Sequence, residues 1–223
     1  MSRKSVRYSR WTAVRSLRFF SLMFVFGILS ILVAVGATST LDYSITDNVR
    51  KLHGSNALNV LMVSVSILGD ISTLLVLAVV LTIIKRTRRA GMIFLTCILI
   101  IVVSAMYIKV IVGRDIPPFI FSSSLSGWQN KIIEPESVSP MSKDLSYPSS
   151  HIAIATCLAC IIELKIINKS KLLASAIWFY PSLMALSRVY IMQSYFTDVV
   201  GGFLLGLIVA VAMSKILHLE PHS

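Results

Sequence analysis

Six long apolar segments alternate with polar connections along the chain. They are Phe19–Gly36, Ala57–Ile84, Ala90–Val112, His151–Ile167, Leu172–Ala185 and Val199–Ile216. A helix of about 20 apolar residues crosses the hydrocarbon core of a bilayer. The pattern therefore predicts an all-α polytopic membrane protein, built as a bundle of six transmembrane helices.

The composition fits a single membrane domain. Hydrophobic residues make up 56% of the 223 residues and charged residues 14%, which is too apolar for an ordinary soluble domain. We expect a basic N-terminal segment at 1–18, the six-helix domain at 19–216 with an outer loop at 113–147, and a short tail at 217–223. The first apolar segment has no clear small-residue cleavage site, so we interpret it as a retained helix.

The net charge of +11 is distributed by side of the membrane. Most basic residues fall before the first apolar segment or in alternate connections, including Arg3, Lys4, Arg7, Arg10, Lys85, Arg86, Arg88, Arg89, Lys165 and Lys169. By the positive-inside rule this side is cytoplasmic. We therefore expect both termini inside, a location in the cell membrane, and contact with anionic lipids rather than nucleic acid.

The cysteines do not indicate a metal or cofactor site. Cys97, Cys157 and Cys160 all fall inside apolar segments. Cys157 and Cys160 share one helical face, which suits neither a disulfide nor a zinc site. We interpret all three as packing residues.

Polar residues near the outer ends of the last four segments suit a phosphate group. Pro148-Ser149-Ser150-His151 opens the fourth segment, and Lys109 and Arg188 lie near the outer ends of two others. An arginine guanidinium can donate two parallel hydrogen bonds to a phosphate group, and a lysine ammonium adds a compact positive charge. The start of a helix adds free backbone N–H groups and a favourable dipole. Pro148 is well suited to such a start, with the serine hydroxyls as caps.

In combination and order, these residues resemble the type 2 phosphatidic acid phosphatase superfamily, which also contains the vanadium haloperoxidases. The family pattern is Lys, six residues and Arg-Pro; then Pro-Ser-Gly-His; then Ser-Arg, five residues, His, three residues and Asp. Here the three parts are Lys109 to Pro117, Pro148-Ser-Ser-His151, and Ser187-Arg188 followed by Ser194 and Asp198. The resemblance covers roughly residues 60 to 212. It implies a six-helix fold with the site at the outer membrane face.

The resemblance also implies individual roles. Lys109 and Arg188 would bind phosphate, Ser149 would donate a hydrogen bond to it, and the backbone around Ser150 would donate another. His151 would protonate the leaving lipid alkoxide.

Asp198 would orient a nucleophilic histidine, but the chain departs from the pattern at that histidine. Ser194 occupies its position, and a serine hydroxyl is a weak nucleophile without an adjacent base. The pattern's first arginine falls on Ile116, with Arg114 two residues earlier as a substitute phosphate ligand. Ser150 also replaces the glycine of the second motif.

Two residues outside the motifs carry open alternatives. His53, in the first outer connection, is a stand-in nucleophile or an exposed loop histidine. Asp70, between Gly69 and Ile71, is a functional carboxylate at membrane depth or one that is hydrogen-bonded near a bend, where Gly69 admits a close neighbour.

Three functions remain open from the sequence. The favoured one is a protein that has lost phosphatase activity and either binds a lipid phosphate or serves as an accessory subunit with other membrane proteins. The alternative is an active lipid phosphate or polyprenyl diphosphate phosphatase at the outer face. A transporter is the third, but Asp70 and Glu163 are the intramembrane charges outside the motif region, and no inverted repeat is visible.

Overall fold

Helices form the regular elements of the described chain, which comprises residues 3–53, 55–118, 144–166 and 170–216 of a computed structural model. In chain order they are α1 (Arg3–Ala34), α2 (Ser39–Arg50), α3 (Asn56–Leu68), α4 (Ile71–Ile83), α5 (Arg88–Val112), α6 (Ser150–Ile166), α7 (Lys171–Ala176), α8 (Phe179–Tyr190) and α9 (Phe196–Ile216). No strand forms within these ranges, where one isolated bridge joins Asp115 to Leu145. The predicted all-α class is confirmed. Most of the predicted outer loop, at 119–143, and the predicted tail at 217–223 lie outside the described residues.

The second apolar segment forms two helices, so the prediction of one continuous helix was wrong. α3 and α4 are bent by 48° at the break between them. Asp70 caps α4, because its Oδ2 accepts a hydrogen bond from Ser72 N at 3.0 Å. Gly69 lies against α8, where a Cβ would collide with the side chain of Met184. The break therefore has a local cause in the cap and a tertiary cause in the close packing of α8.

The first outer connection is also more ordered than predicted, because it contains the twelve-residue helix α2. α2 meets α1 at an angle of 83° and packs against α8 and α9. One face buries Asp42 and Thr46, while Leu41 and Tyr43 on other positions stay about half exposed. α2 thus lies across the end of the bundle and directs a carboxylate into it.

α5 ends at a glycine that sets the position of the first motif. Gly113 has φ 64° and its N–H donates to the Lys109 carbonyl at 2.8 Å. This left-handed conformation is readily adopted by glycine at a helix C-terminus. Lys109 consequently lies in the last turn of α5, one turn before the chain leaves the bundle.

The centre of the bundle is formed by α4, α5, α6 and α9. Its buried side chains include Leu74, Phe94, Cys97, Ile101, Ile154, Cys157 and Leu205. α6 and α9 approach closely at two glycines, since a Cβ at Gly202 would meet the Ser149 carbonyl and one at Gly206 would meet the Ala153 carbonyl. This contact brings the N-terminal ends of α6 and α9 together.

Three stretches of helix in the described chain are long and apolar enough to cross a bilayer by length and composition. They are α5, the nearly continuous α7 and α8 (Lys171–Tyr190), and α9 as far as Met213. The bent pairs α1–α2 and α3–α4 raise this number to five, and α6 is apolar but shorter. Six crossings therefore stay a prediction.

Candidate functional site

Lys109 lies buried beneath the returning end of the outer loop. Its side chain is 1% exposed, and Nζ donates to the Leu145 carbonyl at 2.8 Å. The two ends of the loop are joined by Ile116 N to Asp144 O at 3.0 Å and Ser146 N to Arg114 O at 2.8 Å. These bonds hold the segment that leads into α6 against the end of α5.

The start of α6 is buried and joined to the start of α9. Ser149, Ser150 and His151 are all 5% exposed or less, and Ser149 N donates to the Asp198 carbonyl at 3.1 Å. Tyr147 is fully buried, with its hydroxyl 3.0 Å from Ser30 Oγ of α1. The second and third motifs thus meet through their backbones.

His151, in the first turn of α6, contacts Asp70 at the break between α3 and α4. Nε2 of the ring lies 3.2 Å from Asp70 Oδ1. His151 is nearly buried, whereas the Asp70 side chain is 47% exposed. Of the two alternatives for Asp70, the carboxylate hydrogen-bonded at a bend beside Gly69 is confirmed. Its contact with His151 leaves a functional role as a prediction.

Arg188 lies on the last turn of α8 and faces α3. It is 3% exposed, and Nη1 donates to Ser66 Oγ at 3.3 Å. The preceding residue, Ser187, donates from its hydroxyl to the Met62 carbonyl at 2.6 Å. Ser187 therefore anchors α8 to α3 and fixes the helical turn that carries Arg188.

His151 and Arg188 converge on one short stretch of chain. Their partners Asp70 and Ser66 are four residues apart in sequence, at the break between α3 and α4. Lys109 approaches from α5 through Leu145, three residues before Pro148. Basic side chains from α5, α6 and α8 are thus held by the segments beside the start of α6 and the break between α3 and α4.

Arg114 contacts two buried carboxylates. Nη2 lies 2.6 Å from Asp42 Oδ2 and Nη1 lies 2.9 Å from Asp198 Oδ1. Thr197 completes the cluster, because its N–H and hydroxyl donate to Asp42 at 3.0 and 2.6 Å. Both carboxylates are fully buried and the arginine side chain is 13% exposed. Arg114 thus neutralises charge inside the protein, where the sequence predicted a phosphate ligand.

Asp198 makes no hydrogen bond to the side chain of Ser194, which occupies the position of the histidine that the family's aspartate orients. Its Oδ2 accepts from Tyr195 N at 2.8 Å, at the start of α9, while Oδ1 accepts from Arg114. Ser194 Oγ is buried and has no hydrogen-bond partner among the described residues. No described residue therefore lies within hydrogen-bond distance of the Ser194 hydroxyl to act as its base.

His53 is held in the fold rather than exposed in a loop. Its Nε2 lies 2.7 Å from the Tyr190 carbonyl, to which it donates, and the two rings meet edge to face at 4.7 Å. The Tyr190 hydroxyl in turn donates to Asn59 Oδ1 at 2.5 Å. His53 therefore links the end of α2 to the end of α8.

A cavity of about 260 Å³ adjoins the Arg114 cluster and is lined by Ser39, Tyr43, Arg114, Asp115, Ile116, Pro118 and Tyr195. The Arg114 guanidinium lies 4.1 Å above the centre of the Tyr195 ring. Burial raises the pKa of the Tyr195 phenol, so the ring under the guanidinium stays neutral at physiological pH.

Comparison with known families decides the assignment of the chain. A family model described as the PAP2 superfamily matches residues 90–220, more than half of the sequence. The chain belongs to the PAP2 superfamily. The resemblance seen in the three motifs is thereby confirmed, and the matched range contains all three.

The fold is similar to that of a solved member of this superfamily. The crystal structure of the first transmembrane PAP2 type phosphatidylglycerolphosphate phosphatase from Bacillus subtilis matches with a TM-score of 0.71 and 23% sequence identity, over 90% of this chain and 96% of that one. The match confirms the helical membrane fold. No curated protein matches the chain.

Sequence reasoning missed two residues of this region. Asp42 and Thr197 are both at least 95% buried and bind each other as well as Arg114. Asp42 lies outside the motifs, in a helix that the sequence predicted as a connection, and Thr197 occupies a variable position of the third motif. A helical amphipathic pattern at 39–50, with an acidic residue on its buried face, is the signal that could have indicated Asp42.

Proposed function

We propose that this protein binds the phosphate group of a membrane lipid at the start of α6 and does not hydrolyse it through a covalent intermediate. Lys109, His151 and Arg188 would hold the phosphate, with a hydrogen bond from the Ser149 hydroxyl and another from the backbone around Ser150. Arg114, which salt-bridges Asp42 and Asp198, would maintain the fold beside this site.

The electrostatics of the region favour an anion. Lys109 binds the carbonyl of Leu145, five residues before α6 begins, and Arg188 binds Ser66, four residues before the partner of His151. The dipole of the 17-residue helix α6 adds positive potential at its N-terminus. The contacts described above for Lys109 and Arg188 go to a carbonyl and a hydroxyl, which a phosphate oxygen replaces readily as an acceptor.

The depth of the region favours a lipid over a soluble anion. α4 has 13 residues, so Asp70 at its start lies about 20 Å from Ile83 at its inner end. With Ile83 at the inner boundary of a hydrocarbon core about 30 Å thick, we expect His151 and Asp70 about 10 Å below the outer boundary. A lipid whose chains stay in the bilayer would bring its phosphate to such a site more readily than a soluble anion would enter it.

The proposal that the protein does not form a covalent intermediate rests on the surroundings of Ser194 and Asp198. Ser194 Oγ is buried with no hydrogen-bonded base among the described residues, and the oxygens of Asp198 accept from Arg114 and Tyr195. Removal of a catalytic nucleophile typically costs several orders of magnitude in rate. A protein with this arrangement would serve in the cell membrane as a lipid-phosphate binder or as an accessory subunit of a membrane complex, with both termini cytoplasmic.

The alternative is an active phosphatase at the outer face. The surviving acid–base pair of His151 and Asp70 favours it, because a histidine next to a carboxylate is a common proton donor to a leaving group. Such an enzyme would act on phosphatidic acid, a phosphatidylglycerol phosphate or a polyprenyl diphosphate.

Binding and turnover are tested on the same full-length protein in lipid nanodiscs. We expect phosphatidic acid to bind, diacylglycerol not to bind, and Lys109→Ala and Arg188→Ala to weaken binding at least tenfold, since a hydrogen bond to a charged group contributes about 1.5–3 kcal/mol. We expect no phosphate release from phosphatidic acid or undecaprenyl diphosphate, with an active family member run alongside. Release at a rate near that of the active member would overturn the proposal in favour of the phosphatase.

A further inference from the structure

The cavity beside the Arg114 cluster is bounded by three parts of the chain. Ser39 and Tyr43 lie one turn apart on α2. Arg114 follows the end of α5, and Tyr195 lies just before α9. The walls are tied together, because Asp42 on α2 pairs with Arg114 at 2.6 Å.

Contacts around the cavity hold its walls in place. Ser146 Oγ donates to the Asp115 carbonyl at 3.0 Å, and Ser146 N donates to the Arg114 carbonyl at 2.8 Å. The rings of Tyr43 and Tyr195 meet edge to face with their centres 5.7 Å apart. Groups that are fixed before a ligand arrives lose less conformational freedom on binding. The walls are thus preorganised for a ligand.

Two charged residues of the wall have unused hydrogen-bonding capacity. Arg114 donates three N–H groups, one each to Asp42, Thr197 and Asp198. Its Nε–H and a second Nη2–H have no acceptor among the residues that the structure describes. Asp115 is exposed, and its carboxylate makes no hydrogen bond or ion pair to any described residue. The cavity therefore offers donors at Arg114 and acceptors at Asp115.

The balance of charge favours an uncharged ligand. Arg114 lines the cavity as a cation, but the carboxylates of Asp42, Asp115 and Asp198 lie in the wall or against Arg114. An anion would therefore meet net negative charge. An ammonium group would donate to Asp115 but would leave the remaining donors of Arg114 facing a second cation. A hydroxyl group both donates and accepts, so a ligand with several hydroxyls satisfies both residues without adding charge.

The size and level of the cavity fit the headgroup of a lipid. Its volume of about 260 Å³ lies just below the range of about 300–1,000 Å³ for pockets that hold drug-sized ligands. α5 has 25 residues and is about 37 Å long, which exceeds the thickness of a hydrocarbon core, about 30 Å. Residues 114–118 follow its end directly, so we expect the cavity at the level of the lipid headgroups.

We propose that this cavity binds an uncharged lipid headgroup with several hydroxyls, such as the sugar of a glycolipid. The hydroxyls accept from Arg114 and donate to Asp115, and the ring of Tyr43, which is 50% exposed, gives the sugar an aromatic surface. None of the three basic residues proposed to hold a phosphate lines the cavity. Binding here is therefore separate from the proposed phosphate site at the start of α6.

Two variants alter the cavity, and two matched controls leave it intact. Asp115→Ala removes the acceptor, whereas Asp47→Ala removes an equal charge from an exposed position of α2 outside the cavity. Ile116→Trp fills the cavity, whereas Val110→Trp places the same side chain at an exposed position of α5. Arg114 is left unchanged because its ion pairs stabilise the fold. Thermal unfolding of each variant in nanodiscs confirms that the comparison is made on folded protein.

The probe is a monoglucosyl diacylglycerol, which has a sugar headgroup and no phosphate. Its affinity is compared with that of diacylglycerol, which shares the acyl chains, and with that of methyl glucoside, which shares the sugar. We expect the glucosyl lipid to bind at least tenfold more tightly than either. Asp115→Ala and Ile116→Trp should weaken its binding at least tenfold, since each removes hydrogen bonds to a charged group or blocks them. Both controls should bind it as the wild type does.

Equal affinities for the glucosyl lipid and diacylglycerol would overturn the inference, as would unchanged affinity in both cavity variants. Equally tight binding of methyl glucoside would overturn the assignment to a lipid and identify a site for free sugar. Tighter binding of phosphatidylethanolamine, lost in Asp115→Ala, would show that the cavity takes an ammonium group instead. If the wild type bound the glucosyl lipid but no phosphatidic acid, the proposed function would fall and this site would stand.

Discussion

Arg114 Nη1 lies 2.9 Å from Asp198 Oδ1, with both groups inside the protein. Asp42 from α2 shares the same guanidinium at 2.6 Å. A carboxylate that already has an arginine as its counter-ion is a poor base for a neighbouring hydroxyl. The two departures from the family pattern are therefore related in the structure. Arg114, two residues before Ile116, pairs with Asp198, and Asp198 has no histidine to orient because Ser194 replaces it.

Loss of Arg114 is expected to destabilise the protein strongly. Arg114→Ala would leave Asp42 and Asp198 buried without their counter-charge, a change that costs about 3–5 kcal/mol. We expect a clearly lower thermal unfolding midpoint in detergent. Arg50→Ala is the control, because its ion pair with Asp47 is about half exposed and such pairs contribute about 0–1 kcal/mol. Equal midpoints for the two variants would show that the buried cluster contributes little.

Ser194→Ala is expected to leave function unchanged. The hydroxyl has no hydrogen-bond partner in the described chain, so its removal breaks no contact there and removes no activated nucleophile. Affinity for phosphatidic acid and the rate of phosphate release should both equal those of the wild type. Abolition of a measurable release rate by this single change would instead identify a serine-based mechanism.

Ser194→His is expected to introduce slow phosphate release. An imidazole is the nucleophile of the family, and His151 remains in place as a proton donor, but Asp198 stays paired with Arg114. Combining Ser194→His with Arg114→Ile and Ile116→Arg moves the arginine to the family position and frees Asp198, so the folded protein should release phosphate faster. Loss of the Arg114 ion pairs should lower its unfolding midpoint, so its rate is compared per folded molecule. Release is measured with phosphatidic acid. If neither variant released phosphate, the pocket would lack more than a nucleophile.

The contact between α6 and α9 is expected to couple stability to phosphate binding. A Cβ at Gly202 would collide with the Ser149 carbonyl, and one at Gly206 with the Ala153 carbonyl, a turn farther from the site. Overpacking of this kind costs about 1–3 kcal/mol. We expect Gly202→Ala and Gly206→Ala both to lower the unfolding midpoint, and Gly202→Ala alone to weaken binding of phosphatidic acid.

The control for this pair is Gly27→Ala, because nothing lies within 4 Å of a Cβ at that position. It should leave the midpoint and the affinity unchanged. Equal affinities for the Gly202 and Gly206 variants would mean that the position of Ser149 does not affect the phosphate site.

Local pattern determined the class of the protein. Hydropathy identified the apolar segments, because a helix in lipid must be apolar over most of its length. The order of Lys109, Pro148 to His151, and Ser187 to Asp198 determined the family, since these residues share one chemical task. The protein class and the family both follow from residue types and their order along the chain, which need no knowledge of how the helices pack.

Tertiary packing alone decided the partners of the charged groups. Asp70 and His151 are 81 residues apart in sequence, and Arg114 is 72 from Asp42 and 84 from Asp198. Hydropathy reports whether a segment is buried, not which buried group it meets. Arg114 pairs with Asp42 and Asp198 because buried charges must find counter-charges once the helices have packed. The break at Gly69 depends instead on the Asp70 cap and on the packing of Met184 from α8.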